Sequence, residues 1–162
     1  MDLGFDVTGL PPADAPSEGD SLPGFTRPLS TEEGWSDVPL TEALEDGGLL
    51  VFHPMTRSFP ATYVWNEVLE RGWLDDVDVV GMSISTPYVQ TEFVRERGGG
   101  FGLYSDPACD VGIEYGLDHA LDGMEGVVEH RPAVYVVDDG LTVTYSWTAA
   151  EWPELPPYDE VE

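Results

Sequence analysis

Apolar positions along the chain fall into short unbroken runs, separated by stretches whose apolar residues recur at helical spacing. Residues 49–52 (LLVF) form one such run, which predicts a strand buried on both faces. Pro60 suits the first turn of a following helix, because the N–H it lacks is not needed there. That helix is predicted to reach Arg71 and close at Gly72, with Tyr63, Val64, Glu67 and Val68 spaced along one face. Residues 77–85 (VDVVGMSIS) predict a second core strand. Thr86-Pro87 supplies a cap followed by proline at the first helical position, and the helix VQTEFVRER ends at the glycines 98–100. Residues 101–104 predict a third, short strand, and Asp106-Pro107 repeats the cap-then-proline signal for a helix ending near Gly116. Residues 133–137 and 141–147 predict two strands joined at Asp139-Gly140, a hairpin signal.

The order β-α-β-α-β-α-β-β calls for an α/β sandwich around a mixed sheet, with helices on both faces. The first strands are expected parallel through helical crossovers and the last pair antiparallel, the plan of thioredoxin-like three-layer folds. Residues 1–23 include PPADAPSEGDSLPG with its neighbours and read as a flexible acidic, proline-rich leader, leaving 24–162 as the folded domain. A chain of 162 residues buries roughly 70% of the surface it exposes when unfolded, so one domain with a full core is expected. Five Trp, seven Tyr and six Phe supply large core pieces.

Charge changes the picture most. The chain has 32 acidic residues against six basic ones, all Arg (27, 57, 71, 95, 97 and 131). A net charge of −26 repels nucleic acid and anionic membranes, which excludes both as partners. The acids are spread from Asp2 to Glu162 and not gathered in a tail, which fits a salt-rich cytoplasm. There a Debye length of about 3 Å at 1 M salt silences the self-repulsion. The N-terminus has neither the basic flank nor the apolar core of a signal peptide, and no apolar run is long enough to span a bilayer. A soluble cytoplasmic protein is expected. With the single cysteine Cys109, an intrachain disulfide and any multi-cysteine metal site are excluded.

The candidate chemistry lies in VFHPMTRSFPATYVWNEV, residues 51–68. Phe52-His53-Pro54, Ser58 and the helix start at Ala61 resemble the peroxiredoxin (AhpC/TSA, redoxin) family. In that family an aromatic-proline corner and a loop hydroxyl lead to a peroxidatic cysteine in a helix's first turn. VVGMSISTPYVQTEF is similar to the family's second strand and next helix, LYSDPACDVGIEYGL to its Ser-Asp-Pro helix, and HRPAVYVVDDG to its arginine-bearing strand. The resemblance covers about residues 24–160. It implies an antioxidant oxidoreductase, a thiol-dependent peroxidase, with Pro54, Ser58 and Arg131 around the pocket and no cofactor. It further implies a homodimer and a thiol reductant as partners.

The departure falls on the position the chemistry cannot spare. Ala61 stands where the resemblance places the cysteine, and alanine has no lone pair with which to attack a peroxide. A standard peroxidase cycle at this loop is therefore not expected. Cys109, the remaining thiol, is expected as a small, half-buried residue in the first turn of its helix. There the helix dipole would lower its pKa, while Asp106, Asp110 and Glu114 raise it. His53 reads as a packed core histidine. His119 and His130 have no fixed ligand spacing, so no metal site is expected. Arg57 could join Ser58 and Arg131 in an anion pocket, or be a surface charge facing nearby acids. The remaining readings are a catalytically silent binding or docking module that keeps the pocket, and atypical thiol chemistry at Cys109.

Overall fold

The protein is described by a computed structural model covering residues 8–121 and 124–161. In chain order it places β1 (Thr8–Gly9), β2 (Thr26–Thr31), β3 (Gly34–Pro39), α1 (Leu40–Ala43), β4 (Gly48–Phe52) and α2 (Phe59–Glu70). A 3-10 turn (Trp73–Asp75) precedes β5 (Val79–Ser83), α3 (Pro87–Glu96), β6 (Gly102–Ser105) and α4 (Asp110–Glu114). The chain ends with β7 (Asp118–His119), β8 (Glu129–His130), β9 (Ala133–Val137), β10 (Val143–Thr148), β11 (Glu151–Trp152) and α5 (Tyr158–Val161).

The seven-stranded central sheet runs β10-β9-β4-β5-β6-β2-β3. Strands β4, β5 and β6 are parallel, while β9 pairs antiparallel with β4 and with β10. Side-chain alternation along β4 explains the unbroken apolar run. Leu50 and Phe52 face a core shared with Leu40, Leu44, Val111 and Tyr115, whereas Leu49 and Val51 face Val64, Trp65, Phe93 and Val94. Helices therefore cover both faces, and the sandwich is the expected α/β three-layer, thioredoxin-like one.

One hairpin escapes the apolar pattern. Strands β2 and β3 pair antiparallel at the sheet's edge, yet they read TRPLST and GWSDVP and are mostly half-exposed or exposed. With little to bury and with Pro28 and Pro39 in them, they carry no core-strand signature.

The leader is more ordered than its composition suggests. Gly19 N–H donates to Val143 O (2.9 Å), Leu22 N–H to Leu141 O (3.0 Å) and Leu10 N–H to Ala150 O (2.9 Å). Leu22 is buried, β1 pairs with β11, and the Tyr115 hydroxyl donates to Pro23 O at 2.6 Å. Residues 8–23 are thus held as an extended strap whose backbone partners lie on the domain, information that composition does not carry. Residues 1–7 of the expected leader lie outside the described residues.

The helix expected from Asp106-Pro107 is also corrected. Asp106 and Pro107 form a turn, and α4 begins only at Asp110. Cys109 is its N-cap, with a left-handed backbone (φ 58°) that regular helix residues do not adopt.

Candidate functional site

The parallel strand β4 ends at the corner His53-Pro54, both buried. His53 is fully enclosed, and its two ring nitrogens are used differently. Nδ1 lies 2.7 Å from Pro54 O and must donate there, while Nε2 accepts from the Trp65 indole N–H at 3.1 Å. Acceptance at Nε2 requires the neutral ring. Burial lowers its pKa to about 4, with the Pro54 bond opposing and the nearby His130 adding to the fall. His53 is the packed core histidine that the sequence suggested.

The loop that follows is pinned from three sides. Met55 N–H donates to Glu129 Oε1 (2.9 Å) and Thr56 N–H to Ser85 Oγ (3.0 Å). The Thr56 hydroxyl donates to Gln90 Oε1 at 2.6 Å and sits 3.1 Å from Ser83 Oγ. Gln90 in turn donates Nε2–H to Tyr104 O at 2.6 Å, joining the loop, α3 and β6 in one buried network. Arg57 is an exposed residue with φ 79°, and its guanidinium makes two hydrogen bonds to Glu96 (3.1 and 2.9 Å) with Glu92 at 3.7 Å. It is engaged with surface acids, the plainer of its two readings.

Ser58 caps α2 with extended backbone, but its hydroxyl makes no capping bond, and the buried Oγ has no partner among the described residues. Ala61, in the helix's first turn, is fully buried. Arg131 is buried too. Its Nη1–H donates to Pro11 O at 2.8 Å, while Nε is buried without a partner among the described residues. Burial lowers its pKa and Asp118 partly restores it. The guanidinium thus ties down the strap, a contact that only the ordered leader makes available.

A second constellation was invisible in the spacing. Strands β7 and β8 pair Asp118 with His130 and His119 with Glu129. That places His130 against the Asp106 turn, where His130 Nε2 lies 2.8 Å from Asp106 Oδ2. Gly112 N–H donates to the same oxygen at 3.1 Å. Burial opposes ionisation of Asp106, yet the His130 bond and charge and the Gly112 and Val111 N–H groups outweigh it and hold the carboxyl below its usual range. Cys109 completes the cluster: ligand-type atoms of Asp106, Cys109 and His130 all lie within 4.8 Å of one another. The thiol is not half-buried but 2% exposed. Burial first, then the field of Asp106, Asp118, Asp110 and Glu129, pushes its pKa up to about 12. The residues come from 24 positions apart in the chain, and only the pairing of two-residue strands brings them together.

Among the described residues, no helix is long and apolar enough to cross a membrane. A comparison with curated proteins finds no match. Among solved structures, the fold is similar to a thiol peroxidase from Chromobacterium violaceum (20% identity, TM-score 0.73), covering 92% of this chain and 86% of that one. It is similar to the peroxidoxin BcpB from Mycobacterium tuberculosis (21% identity, TM-score 0.65, 82% and 85% covered). It is also similar to a 2-Cys peroxiredoxin from Plasmodium vivax (18% identity, TM-score 0.69, 90% and 78% covered). At these identities the likeness is one of fold. The AhpC/TSA family model matches residues 19–146, most of the chain, and the protein therefore belongs to the AhpC/TSA family.

Proposed function

We propose that this AhpC/TSA-family protein has lost peroxide reduction at the Ala61 loop and acts as a non-catalytic binding or docking module built on the redoxin frame. One observation carries the reading: the first turn of α2 holds a buried alanine, while the one thiol in the chain is buried and its pKa is pushed up to about 12. Two-electron peroxide reduction needs an accessible thiolate. At neutral pH a thiol with so high a pKa is on the order of one part in 10⁵ ionised. The loop keeps Pro54, Ser58 and the helix start, with Arg131 turned to the strap, so a frame is retained in which the nucleophile is absent.

The second reading, thiol chemistry at Cys109, draws on its neighbour His130, but burial and a pKa pushed up to about 12 keep Cys109 a protonated thiol at neutral pH. A salt-rich cytoplasm is the setting we propose, for which 32 acids against six arginines argue, and a homodimer is the assembly in keeping with the fold. A thiol reductant is a partner only under the second reading.

The test is peroxide consumption with a dithiol reductant in high salt, on the wild type and on Cys109→Ala. Neither protein turns over on the proposed reading. Turnover in the wild type that Cys109→Ala abolishes establishes the second reading instead.

A further inference from the structure

We propose that Asp106, Cys109 and His130 form a binding site for a thiophilic divalent cation of the zinc class. The claim goes beyond the silent-frame reading and does not depend on it. The three side chains bring one carboxylate oxygen, one sulfur and one imidazole nitrogen within 4.8 Å of one another, and all three residues are buried. That donor set is borderline-soft and matches Zn²⁺, which takes S, N and O ligands at about 2.0–2.3 Å in tetrahedral geometry. One position is left for a further oxygen.

Three features of the backbone point the same way. Cys109 holds a left-handed conformation (φ 58°) in a non-glycine residue, a strained choice that concentrates where a side chain must be aimed. Gly112 lets its backbone approach two of the donors closely: a Cβ there would stand 2.6 Å from Cys109 Sγ, 2.8 Å from His130 Cδ2 and 3.1 Å from His130 Nε2, so any side chain would crowd them. The Gly112 N–H donates to Asp106 Oδ2 at 3.1 Å and so orients the carboxylate from outside the donor set.

Charge balance is reasonable for a buried ion. Asp106 and a Cys109 thiolate together neutralise a divalent cation, with the thiol proton released to solvent on binding. Arg27 is the opposing cation, with Nε 3.7 Å from Asp106 Oδ1 and Nη2 4.0 Å from Asp110 Oδ2. It faces the other carboxylate oxygen and is one-third exposed, so it has room to turn outward. As His130 Nε2 takes the metal, the proton it shares with Asp106 Oδ2 at 2.8 Å passes to Nδ1 or to solvent, leaving a neutral ring protonated at Nδ1. In the ion-bound form the site joins the Asp106 turn, α4 and β8 with one cross-link.

The test is Co²⁺ titration of the full chain in high salt with excess Mg²⁺, which occupies the surface carboxylates. The expected result is one equivalent of Co²⁺ with tetrahedral visible bands and a sulfur-to-cobalt charge-transfer absorption, displaced by one equivalent of Zn²⁺. In Cys109→Ser the charge-transfer absorption disappears. Zn²⁺ affinity falls by more than the roughly 10–100-fold that loss of an outer-shell partner costs. Gly112→Ala, whose methyl group would push Cys109 and His130 out of position, weakens Zn²⁺ binding too. A wild-type spectrum of octahedral, all-oxygen Co²⁺ overturns the proposal without any variant. So does Zn²⁺ affinity equal in wild type and Cys109→Ser. Peroxide turnover is read in a separate assay, so either proposal can fail alone.

Discussion

Lowering the pH from about 7.5 to about 5 should weaken the fold through one identifiable group, His53. Its ring is neutral when folded, because Nδ1 donates to Pro54 O while Nε2 accepts from Trp65. The folded pKa of about 4 lies below the unfolded value of 6.5. Between these two values the unfolded chain binds the proton and the native state does not. The His53 contribution is therefore complete above the unfolded value and is lost as pH falls through 6.5 toward 4. At about 1.4 kcal/mol per pKa unit the full loss is roughly 3 kcal/mol, of which about 2 kcal/mol is gone by about pH 5. The assay is urea unfolding in high salt at a series of pH values, on the wild type and on His53→Gln, whose amide oxygen retains an acceptor for the indole. Carboxylates titrate alike in both proteins, so the difference in slope isolates His53. Parallel pH profiles would refute the assignment of a neutral, doubly bonded ring.

Three further outcomes are expected. Gly81→Ala in β5 costs about 1–3 kcal/mol by urea unfolding, because its Cβ would stand 2.5 Å from the Trp65 ring and 2.8 Å from Leu103. Thr56→Val costs about 1–3 kcal/mol in the same assay, since it strips Gln90 Oε1 of its 2.6 Å donor inside a buried network. With 32 acids against six bases, the melting temperature should fall on dialysis from molar to low salt, and a salt-independent value would remove the argument for a salt-rich setting.

What the sequence revealed follows from where its information is local. Strand β4 and helices α2 and α3 announce themselves by apolar runs, a Pro in the first turn and a closing Gly. Their order and motifs suffice for the sheet's parallel core and for the family. The hairpin β2–β3 was illegible because an exposed edge needs no apolar face. The strap was illegible because its backbone partners, such as Val143 and Leu141, lie more than a hundred residues away. Within the candidate site, Pro54, Ser58 and Ala61 share one segment and could be read together. Arg131 came from the family motif, but its bond to Pro11 depends on the strap. The Thr56–Ser83–Gln90 network and the Asp106–Cys109–His130 cluster draw on separate elements, and no spacing rule joins a turn at 106 to a two-residue strand at 129.

The central claim is that the frame survives while the nucleophile is missing, and intact mass after a brief peroxide pulse in high salt tests it most directly. The comparison is between the wild type and Ala61→Cys combined with Cys109→Ala. The wild type should keep its mass, its thiol being buried and held at about 12. The double variant, with its thiol at the α2 N-terminus near a Ser58 hydroxyl that has no partner among the described residues, should gain oxygen on residue 61. Oxygen on Cys109 of the wild type, with the double variant inert, would contradict the account.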